Sequence, residues 1–275
     1  MKIFPISDIH ILMRPDFFLE ENIKEFFDIV VEEAGDDKLV LCFCGDVGDR
    51  YFGLSWLTKV SNLYPDLDIL YLLGNHEFYG SNLELLPEDL FLLNNLVGSG
   101  RIHIFDNSDH FKYTIEDVTF IGATLWSDFN KQSPAAMNIA QRSMNDYRYI
   151  KSGINYNDIT ANTILNHHGC QKKYIFKALK ETSGKKVVMT HHLPYVDFDG
   201  HSGDALAYAY GSDFDEKFNE LPAEALPIYW LSGHTHTSRV KIGHFTNGDI
   251  QFISNQMGYP QELYTGFTTH CILEV

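Results

Sequence analysis

Short apolar runs and one amphipathic stretch organise the first third of the chain. Residues 3–7, 39–44 and 68–73 are almost continuously apolar, which is typical of parallel strands buried on both faces. Between the first two runs, apolar residues recur at helical spacing from position 23 to 34, and Gly35 can end that helix. A second helix is predicted at 55–63. This order predicts a parallel sheet covered by helices.

The rest of the chain predicts a second group of strands. Residues 101–105, 113–115 and 118–121 are interpreted as antiparallel strands, and 185–190, 228–231 and 269–275 as further strands. Asn247-Gly248 predicts a hairpin between 239–245 and 249–254. A helix is expected at 159–179. The polar stretch 129–148 is too long for a simple connector, so we expect a substrate-side loop there, and a second loop with short helices at 197–220. We expect one domain over 1–275.

Polar side chains follow five of the apolar runs. They are Asp8 and His10, Asp46, Asn75 and His76, His191, and His234 and His236. Each pattern alone is common in turns and helix caps. Ligands of α/β sheets bind beyond the carboxyl ends of the strands, so the recurrence at five strand ends predicts a shared site.

Seven of these residues form a mixed nitrogen and oxygen ligand set. Two carboxylates, one amide and four imidazoles suit Mn²⁺, Fe, Zn²⁺ or Co²⁺ better than Ca²⁺ or a thiolate-bound metal. Seven ligands are too many for one ordinary transition-metal site. Asp46 has two oxygens that can each coordinate a different cation. We therefore expect two divalent transition-metal ions, with Mn²⁺ as the first candidate.

The pair His191-His192 needs an assignment, because side chains alternate along a strand. The buried run 187–190 brings His191 to the carboxyl edge, so His191 is the predicted ligand. A strand one residue longer would exchange it with His192. His167 and His168 lie inside the predicted helix 159–179 and are expected to be exposed rather than ligands.

Charge and cysteine content limit the partners and the compartment. The chain has 21 Lys and Arg against 37 Asp and Glu, a net charge of −16. This charge repels nucleic-acid backbones and anionic membranes, so we expect no stable binding to either, and a phosphorylated substrate needs local positive charge such as metal ions. The four cysteines show no Cys-x-x-Cys spacing, and no signal peptide or membrane span is apparent. We therefore expect a reducing, cytoplasmic setting.

Five motifs along the chain resemble those of the calcineurin-like metallophosphoesterases. They are Asp8-x-His10, Gly45-Asp46-x-x-Asp49-Arg50, Gly74-Asn75-His76-Glu77, the strand end at His191, and Gly233-His234-x-His236. The resemblance implies a four-layer α/β/β/α sandwich of two mixed sheets flanked by helices. It also implies one metal held by Asp8, His10, Asp46 and His236, and another held by Asp46, Asn75, His191 and His234.

Three further stretches, at 74–80, 122–126 and 144–148, resemble a bacterial and phage subgroup of that family. The subgroup often carries Asn-Pro-Arg-Gly-Tyr after its hairpin, whereas residues 255–259 read Asn-Gln-Met-Gly-Tyr and lack the arginine. The protein serine/threonine phosphatases carry an arginine before Gly-Asn-His-Glu. Here that place is occupied by Leu73.

The resemblance implies a dinuclear phosphohydrolase in which a metal-bound hydroxide attacks phosphorus. His76 would protonate the leaving oxygen, and Asp49 would orient His76. Arg50 would either stabilise phosphate or pin the Asp46 turn. Asn145 and Arg148 are candidate substrate contacts or structural loop residues.

The expected substrates are phosphodiesters or small phosphorylated molecules. A phosphomonoesterase or protein serine/threonine phosphatase is the alternative within the same class. From another class, the alternative is a non-catalytic metal-binding module on this fold. The intact ligand set together with His76 favours the enzyme.

Overall fold

Two packed sheets form the centre of the computed structural model, which describes residues 1–98, 100–105, 111–196 and 206–275. The first sheet has the strand order β13-β1-β2-β3-β4. Its members are β1 (Lys2–Ile6), β2 (Leu39–Cys44), β3 (Asp68–Leu72), β4 (Ile102–Phe105) and β13 (Leu273–Glu274). The first four strands are parallel and β13 is antiparallel to β1.

The second sheet has six strands in the order β11-β12-β10-β9-β6-β5. They are β5 (Lys112–Ile115), β6 (Val118–Ala123), β9 (Lys185–Thr190), β10 (Tyr229–Leu231), β11 (Arg239–Phe245) and β12 (Gly248–Ser254). Its centre is parallel and its two outer pairs are antiparallel hairpins. A separate pair is formed by β7 (Lys151–Ser152) and β8 (Asn157–Asp158).

Helices cover the outer faces of both sheets. They are α1 (Glu20–Ala34), α2 (Phe52–Leu63), α3 (Leu86–Val97), α4 (Phe129–Gln132), α5 (Pro134–Ser143), α6 (Asp146–Tyr149), α7 (Ala161–Glu181), α8 (Ala207–Tyr210) and α9 (Asp215–Asn219). The longest, α7, begins with a capping box between Thr160 and Thr163. No helix among the described residues combines the length and the apolar character that crossing a bilayer requires.

The apolar side chains pack in layers, as the period-2 geometry of strands dictates. On β2, Cys42 and Cys44 face the second sheet, whereas Leu41 and Phe43 face the helices of the first. On the far side of the second sheet, Val188 and Trp230 pack with α7. The expected four-layer α/β/β/α sandwich is therefore confirmed.

Two strand predictions need correction. Residues 102–105 run parallel to β3 in the first sheet instead of antiparallel in the second, because helix α3 provides the long crossover that a parallel connection requires. In the predicted strand 269–275 only Leu273–Glu274 pairs. Residues 197–205 of the predicted rim loop lie outside the described residues, and the remainder contains α8 and α9 as expected.

Most of the polar stretch 129–148 forms the helices α4, α5 and α6, whereas a substrate-side loop was predicted there. Helix α5 starts with Pro134, and the Ser133 hydroxyl accepts a hydrogen bond from the Ala136 N–H at 3.5 Å. Its buried face consists of Ala136 and Ala140, which are too small to produce a clear apolar stripe in the sequence. The preceding turn α4 has left-handed backbone angles at all four residues.

The prediction that His168 is exposed is also wrong. Its side chain is buried against the ring of Phe214, and Nδ1 lies 3.0 Å from the Leu125 carbonyl oxygen. His167 is half-buried, with Nε2 3.5 Å from Glu84 Oε1. Neither histidine belongs to a candidate metal group among the described residues.

Candidate active site

The five predicted strand ends meet at one edge of the two packed sheets. Strands β1, β2 and β3 bring Asp8, Asp46 and Asn75 from the first sheet. The second sheet contributes through β9 and β10, which lead into His191 and His234. Residues almost 230 positions apart in the sequence become neighbours there, because both sheets end their parallel strands at the same side.

Asp46 belongs to one group of potential ligands and lies beside another. One group is Asp8, His10 and His236, and another is Asp46, His191 and His234; within each group the ligand atoms lie within 4.8 Å of one another. Asp46 Oδ1 is 3.4 Å from His191 Nε2, and Asp46 Oδ2 is 4.0 Å from His10 Nε2. Its two carboxylate oxygens therefore face different halves of the site.

The first half joins His10, His236 and Asp8. The Nε2 atoms of His10 and His236 lie 3.1 Å apart, and His236 Nε2 is 3.4 Å from Asp8 Oδ1. His236 Nδ1 lies 2.6 Å from Glu262 Oε2, which can only accept. Nδ1 therefore carries a proton, and Nε2 is the ring nitrogen that faces Asp8 and His10. Burial lowers the pKa of His236, but Asp8 and Glu262 outweigh it and raise the pKa to about 9. This half attracts positive charge.

In the second half, hydrogen bonds outside the ligand group orient the ligand atoms. His191 Nδ1 donates to the Cys44 carbonyl oxygen at 2.9 Å, so Nε2 is the ring nitrogen that faces the ligand group. Asn75 Nδ2 donates to Asp146 Oδ1 at 2.9 Å, so Asn75 Oδ1 faces the site. The resulting distances are 2.9 Å from Asn75 Oδ1 to His191 Nε2 and 3.1 Å to His234 Nδ1.

This convergence of nitrogen and oxygen atoms fits a bound cation. The facing atoms lie about 3 Å apart, so positive charge, as protons or as cations, must lie among them. His234 faces the group through Nδ1, and its other ring nitrogen, Nε2, is buried without a hydrogen-bond partner among the described residues. Imidazole, carboxylate and amide donors are the set that first-row divalent metals bind. The residues present therefore fit the metals that the sequence predicts.

Strand β9 ends at Thr190, so the register assumed for the histidine pair agrees with the structure. His191 lies beside Asp46, whereas His192 Nδ1 lies 3.2 Å from the Thr124 carbonyl oxygen. His192 packs against the ring of His234 with 4.2 Å between centroids. Burial lowers the pKa of His192 to about 3, which keeps this ring neutral.

The ligand loops have strained backbone and very close contacts. Positive φ angles occur at Asp8, His10, Asp46, His234 and His236. Such angles in non-glycine residues cost of order 1–3 kcal/mol each and cluster at functional sites. A Cβ at Gly74 would lie only 2.1 Å from Asp46 Oδ1, so this motif position has no room for a side chain.

Glu77 has a structural role that the sequence motif did not reveal. Its buried carboxylate accepts hydrogen bonds from the N–H groups of Asp46, Val47, Gly48 and Gly74, at 2.7–3.3 Å. The Tyr71 hydroxyl donates to the same group at 3.1 Å. Glu77 thereby ties the loop that carries Asp46 to the loop that carries Asn75.

His76 lies where a proton donor to substrate is needed. Its Nε2 is 3.3 Å from the Tyr259 hydroxyl and 4.0 Å from Asp46 Oδ2, and its Nδ1 is 3.7 Å from Asp49 Oδ1. Burial lowers the pKa of His76, but Asp46 and Asp49 outweigh it and raise the pKa above its usual value. His76, Asp46 and His10 are also close enough to form a third ligand group.

The three weaker predicted contacts have different positions. Asn145 lines a cavity of about 360 Å³ beside Asp46, and the side chains of Arg50 and Arg148 are not among its described lining residues. The Arg50 backbone N–H donates to the Glu77 carbonyl oxygen at 2.8 Å, and the two roles considered for the Arg50 side chain stay predictions. Arg148 points to the side chain of Asn145 and the carbonyl of Arg142.

Tyr79, Asp146, Tyr259 and Glu262 are among the cavity residues that were not predicted. Tyr79 and Asp146 belong to the stretches at 74–80 and 144–148, whose resemblance to a subgroup was the only available signal. Tyr259 ends the segment that lacks the subgroup arginine. Glu262 gave no signal in the sequence, because its contact with His236 depends on the folding of the loop after β12.

Comparisons with known proteins identify the family. The model of the calcineurin-like phosphoesterase family matches residues 1–238. An uncharacterized protein of Acanthamoeba polyphaga mimivirus is 30% identical over 276 residues, which cover 94% of this chain and 91% of that protein. The chain therefore belongs to the calcineurin-like phosphoesterase family and is a metal-dependent phosphoesterase.

A solved structure shows the same fold. It is that of a phosphopantetheinyl hydrolase from Mycobacterium tuberculosis, with a TM-score of 0.64 and 14% sequence identity. The match covers 94% of this chain and 90% of that one. At this identity the similarity concerns the fold.

Glu77→Ala should strongly destabilise the protein even without metal, because it leaves several buried N–H groups without an acceptor. We expect a loss of about 3–5 kcal/mol in the free energy of unfolding. Urea unfolding in the presence of EDTA measures it. Glu25→Ala on the exposed face of α1 is the control and should stay within about 0.5 kcal/mol. A loss below about 1 kcal/mol for Glu77→Ala would contradict the assigned role.

Asp146→Ala should weaken Mn²⁺ binding by about 10–100-fold, because it frees the Asn75 amide to rotate. Titration calorimetry measures the dissociation constants. Tyr79→Phe, which keeps the bond between Asp146 and Asn75, should change them little. Asp146→Asn retains an acceptor oxygen and should recover most of the affinity. Equal losses in the Ala and Asn variants would show that charge, rather than orientation of Asn75, is what Asp146 supplies.

Proposed function

We propose that the protein binds two divalent cations on either side of Asp46 and hydrolyses phosphodiesters or other small phosphorylated molecules. The observation that carries the proposal is the placement of the two Asp46 oxygens toward separate ligand groups. Asp8, His10 and His236 would complete one metal site. Asn75, His191 and His234 would complete the other. The donor set suits Mn²⁺, with Fe, Zn²⁺ or Co²⁺ as alternatives.

The side chains around the cavity can supply the remaining chemistry. Bound divalent cations would activate water as a nucleophile and neutralise charge on the phosphoryl group. The nearby carboxylates of Asp46 and Asp49 outweigh burial and raise the pKa of His76, which favours a role as proton donor to the leaving oxygen. The Tyr259 hydroxyl lies next to the donating nitrogen. Asn145 lines the same cavity and can contact the substrate.

The size and charge of the site favour small substrates. A cavity of about 360 Å³ lies within the range of small-molecule sites. The net charge of −16 opposes the approach of a nucleic acid. A phosphomonoesterase or protein phosphatase remains the alternative activity. Against a non-catalytic module, His76 lines the open cavity, where a proton donor to substrate is needed.

Metal-dependent turnover tests the proposal directly. Protein stripped with chelator should release little p-nitrophenol from bis(p-nitrophenyl) phosphate, and addition of Mn²⁺ should restore turnover. Asp46→Asn should be inactive at every Mn²⁺ concentration, because it weakens both metal sites. Mn²⁺ binding without turnover of any phosphoester would support the non-catalytic module instead.

His76→Asn should retain both metals and lose about 10²–10⁴-fold in kcat, since a general acid contributes that much. The loss should be smaller for esters with a good leaving group, which need less protonation. Metal content by elemental analysis and kcat for two leaving groups are the measurements. If the variant lost a metal equivalent, His76 would be a ligand, as its distance to His10 and Asp46 allows.

His191→Ala should abolish activity and release one metal, because His191 Nε2 faces Asp46 and Asn75. His192→Ala is the matched control at the neighbouring position and should keep full metal content. Elemental analysis after dialysis distinguishes the two variants. Loss of metal from His192→Ala alone would contradict the assignment.

A further inference from the structure

The cavity beside Asp46 has no lysine or arginine among its described lining residues. The undescribed positions 99, 106–110 and 197–205 contain neither residue type in the sequence. The side chains of two nearby arginines make hydrogen bonds outside the cavity. Arg14 donates to the carbonyl oxygens of Ile9 and Gly258, and Arg148 donates to the Asn145 side-chain oxygen and the Arg142 carbonyl oxygen. Arg50 is exposed and does not line the cavity, so bound cations would supply the positive charge that meets a phosphoryl group.

Carboxylates near the site offset part of that charge. Three acidic side chains, Asp46, Asp146 and Glu262, line the cavity itself. Asp146 accepts hydrogen bonds from Asn75 and Tyr79. A cavity lined by acidic side chains, with no lysine or arginine among its described lining residues, can receive one extra negative charge more easily than two.

Three tyrosines and two apolar side chains form one part of the cavity wall, beside the polar residues. Tyr79, Tyr210 and Tyr259 are half-buried there, together with Met144 and Leu206. The Tyr79 ring stacks on His76 with 4.2 Å between centroids, and the Tyr259 ring lies 4.5 Å from that of His10. Packing therefore fixes these rings before substrate arrives. Fixed aromatic walls favour a planar, uncharged group over a flexible charged one.

We infer that the substrate is a small phosphodiester monoanion that carries an uncharged aromatic group on the ester oxygen that is not the leaving group, and that the site discriminates against phosphomonoester dianions. The inference rests on the proposed metal-dependent phosphohydrolase activity. Hydrolysis adds one water: a P–O bond forms to the water oxygen, the P–O bond to the leaving group breaks, one water proton goes to the leaving oxygen, and the other is lost to solvent as the monoester ionises. The product is a phosphomonoester, which carries a second negative charge and is released.

Three esters with the same leaving group test the inference on the Mn²⁺ holoenzyme. They are phenyl p-nitrophenyl phosphate, methyl p-nitrophenyl phosphate and p-nitrophenyl phosphate, the last a dianion at pH 8 because the second pKa of a phosphomonoester is about 6. We expect kcat/KM to be at least about 10-fold higher for the phenyl diester than for the monoester, with a lower KM than the methyl diester. Equal or faster turnover of the monoester would overturn the charge argument. Equal KM values for the two diesters would overturn the aromatic one.

A charge added at the rim separates this selectivity from differences in intrinsic reactivity. Ser143 is exposed at the end of α5, lines the cavity and has no role in the proposed chemistry. Ser143→Lys should raise the ratio of monoester to diester kcat/KM several-fold, whereas Ser143→Gln, which adds a polar chain without charge, should not. The same ratio in both variants would show that charge does not set the selectivity. Failure of the proposed function looks different, because no ester would then show metal-dependent turnover.

Discussion

The hydrogen bonds that the Glu77 carboxylate accepts hold together the two loops on which the site depends. One loop follows β2 and carries Asp46, and the other follows β3 and carries Asn75 and His76. Each loop alone would present its N–H groups to a buried, water-poor region, where unpaired donors are costly. Glu77 satisfies these donors and sets the position of Asp46 relative to the second sheet. The placement of both candidate metals follows from that position.

The same arrangement concentrates unfavourable features that metal binding would offset. Buried acceptor atoms face one another across about 3 Å, and five candidate ligands have left-handed backbone angles. Positive charge at the centre relieves the repulsion, whether it arrives as protons or as cations. Burial would lower the pKa of His191, yet Asp46 outweighs it and raises the pKa to about 10, so without metal this ring holds a proton. Metal binding must therefore displace protons and should couple to stability.

The sequence predicted the elements that carry the site better than the elements around it. Strands β2 and β9 have the predicted bounds, because an apolar run with polar residues at its end is the typical pattern of a buried strand in an α/β fold. Helix α5 was missed because its buried face is made of alanines. The sheet that contains β4 and the burial of His168 depend on the packing of distant segments. Glu77 and Asp146 act through tertiary hydrogen bonds, so their residue types alone could not reveal their roles.

The central claim is that Asp46 bridges two metal ions, and anomalous diffraction from crystals grown with Mn²⁺ tests it most directly. The account predicts two anomalous peaks about 3.5–4 Å apart, the separation typical of two-metal sites. One peak should lie beside Asp8, His10 and His236 and the other beside Asn75, His191 and His234, with one Asp46 oxygen toward each. A single peak at saturating Mn²⁺, or two peaks of which only one contacts Asp46, would contradict the claim.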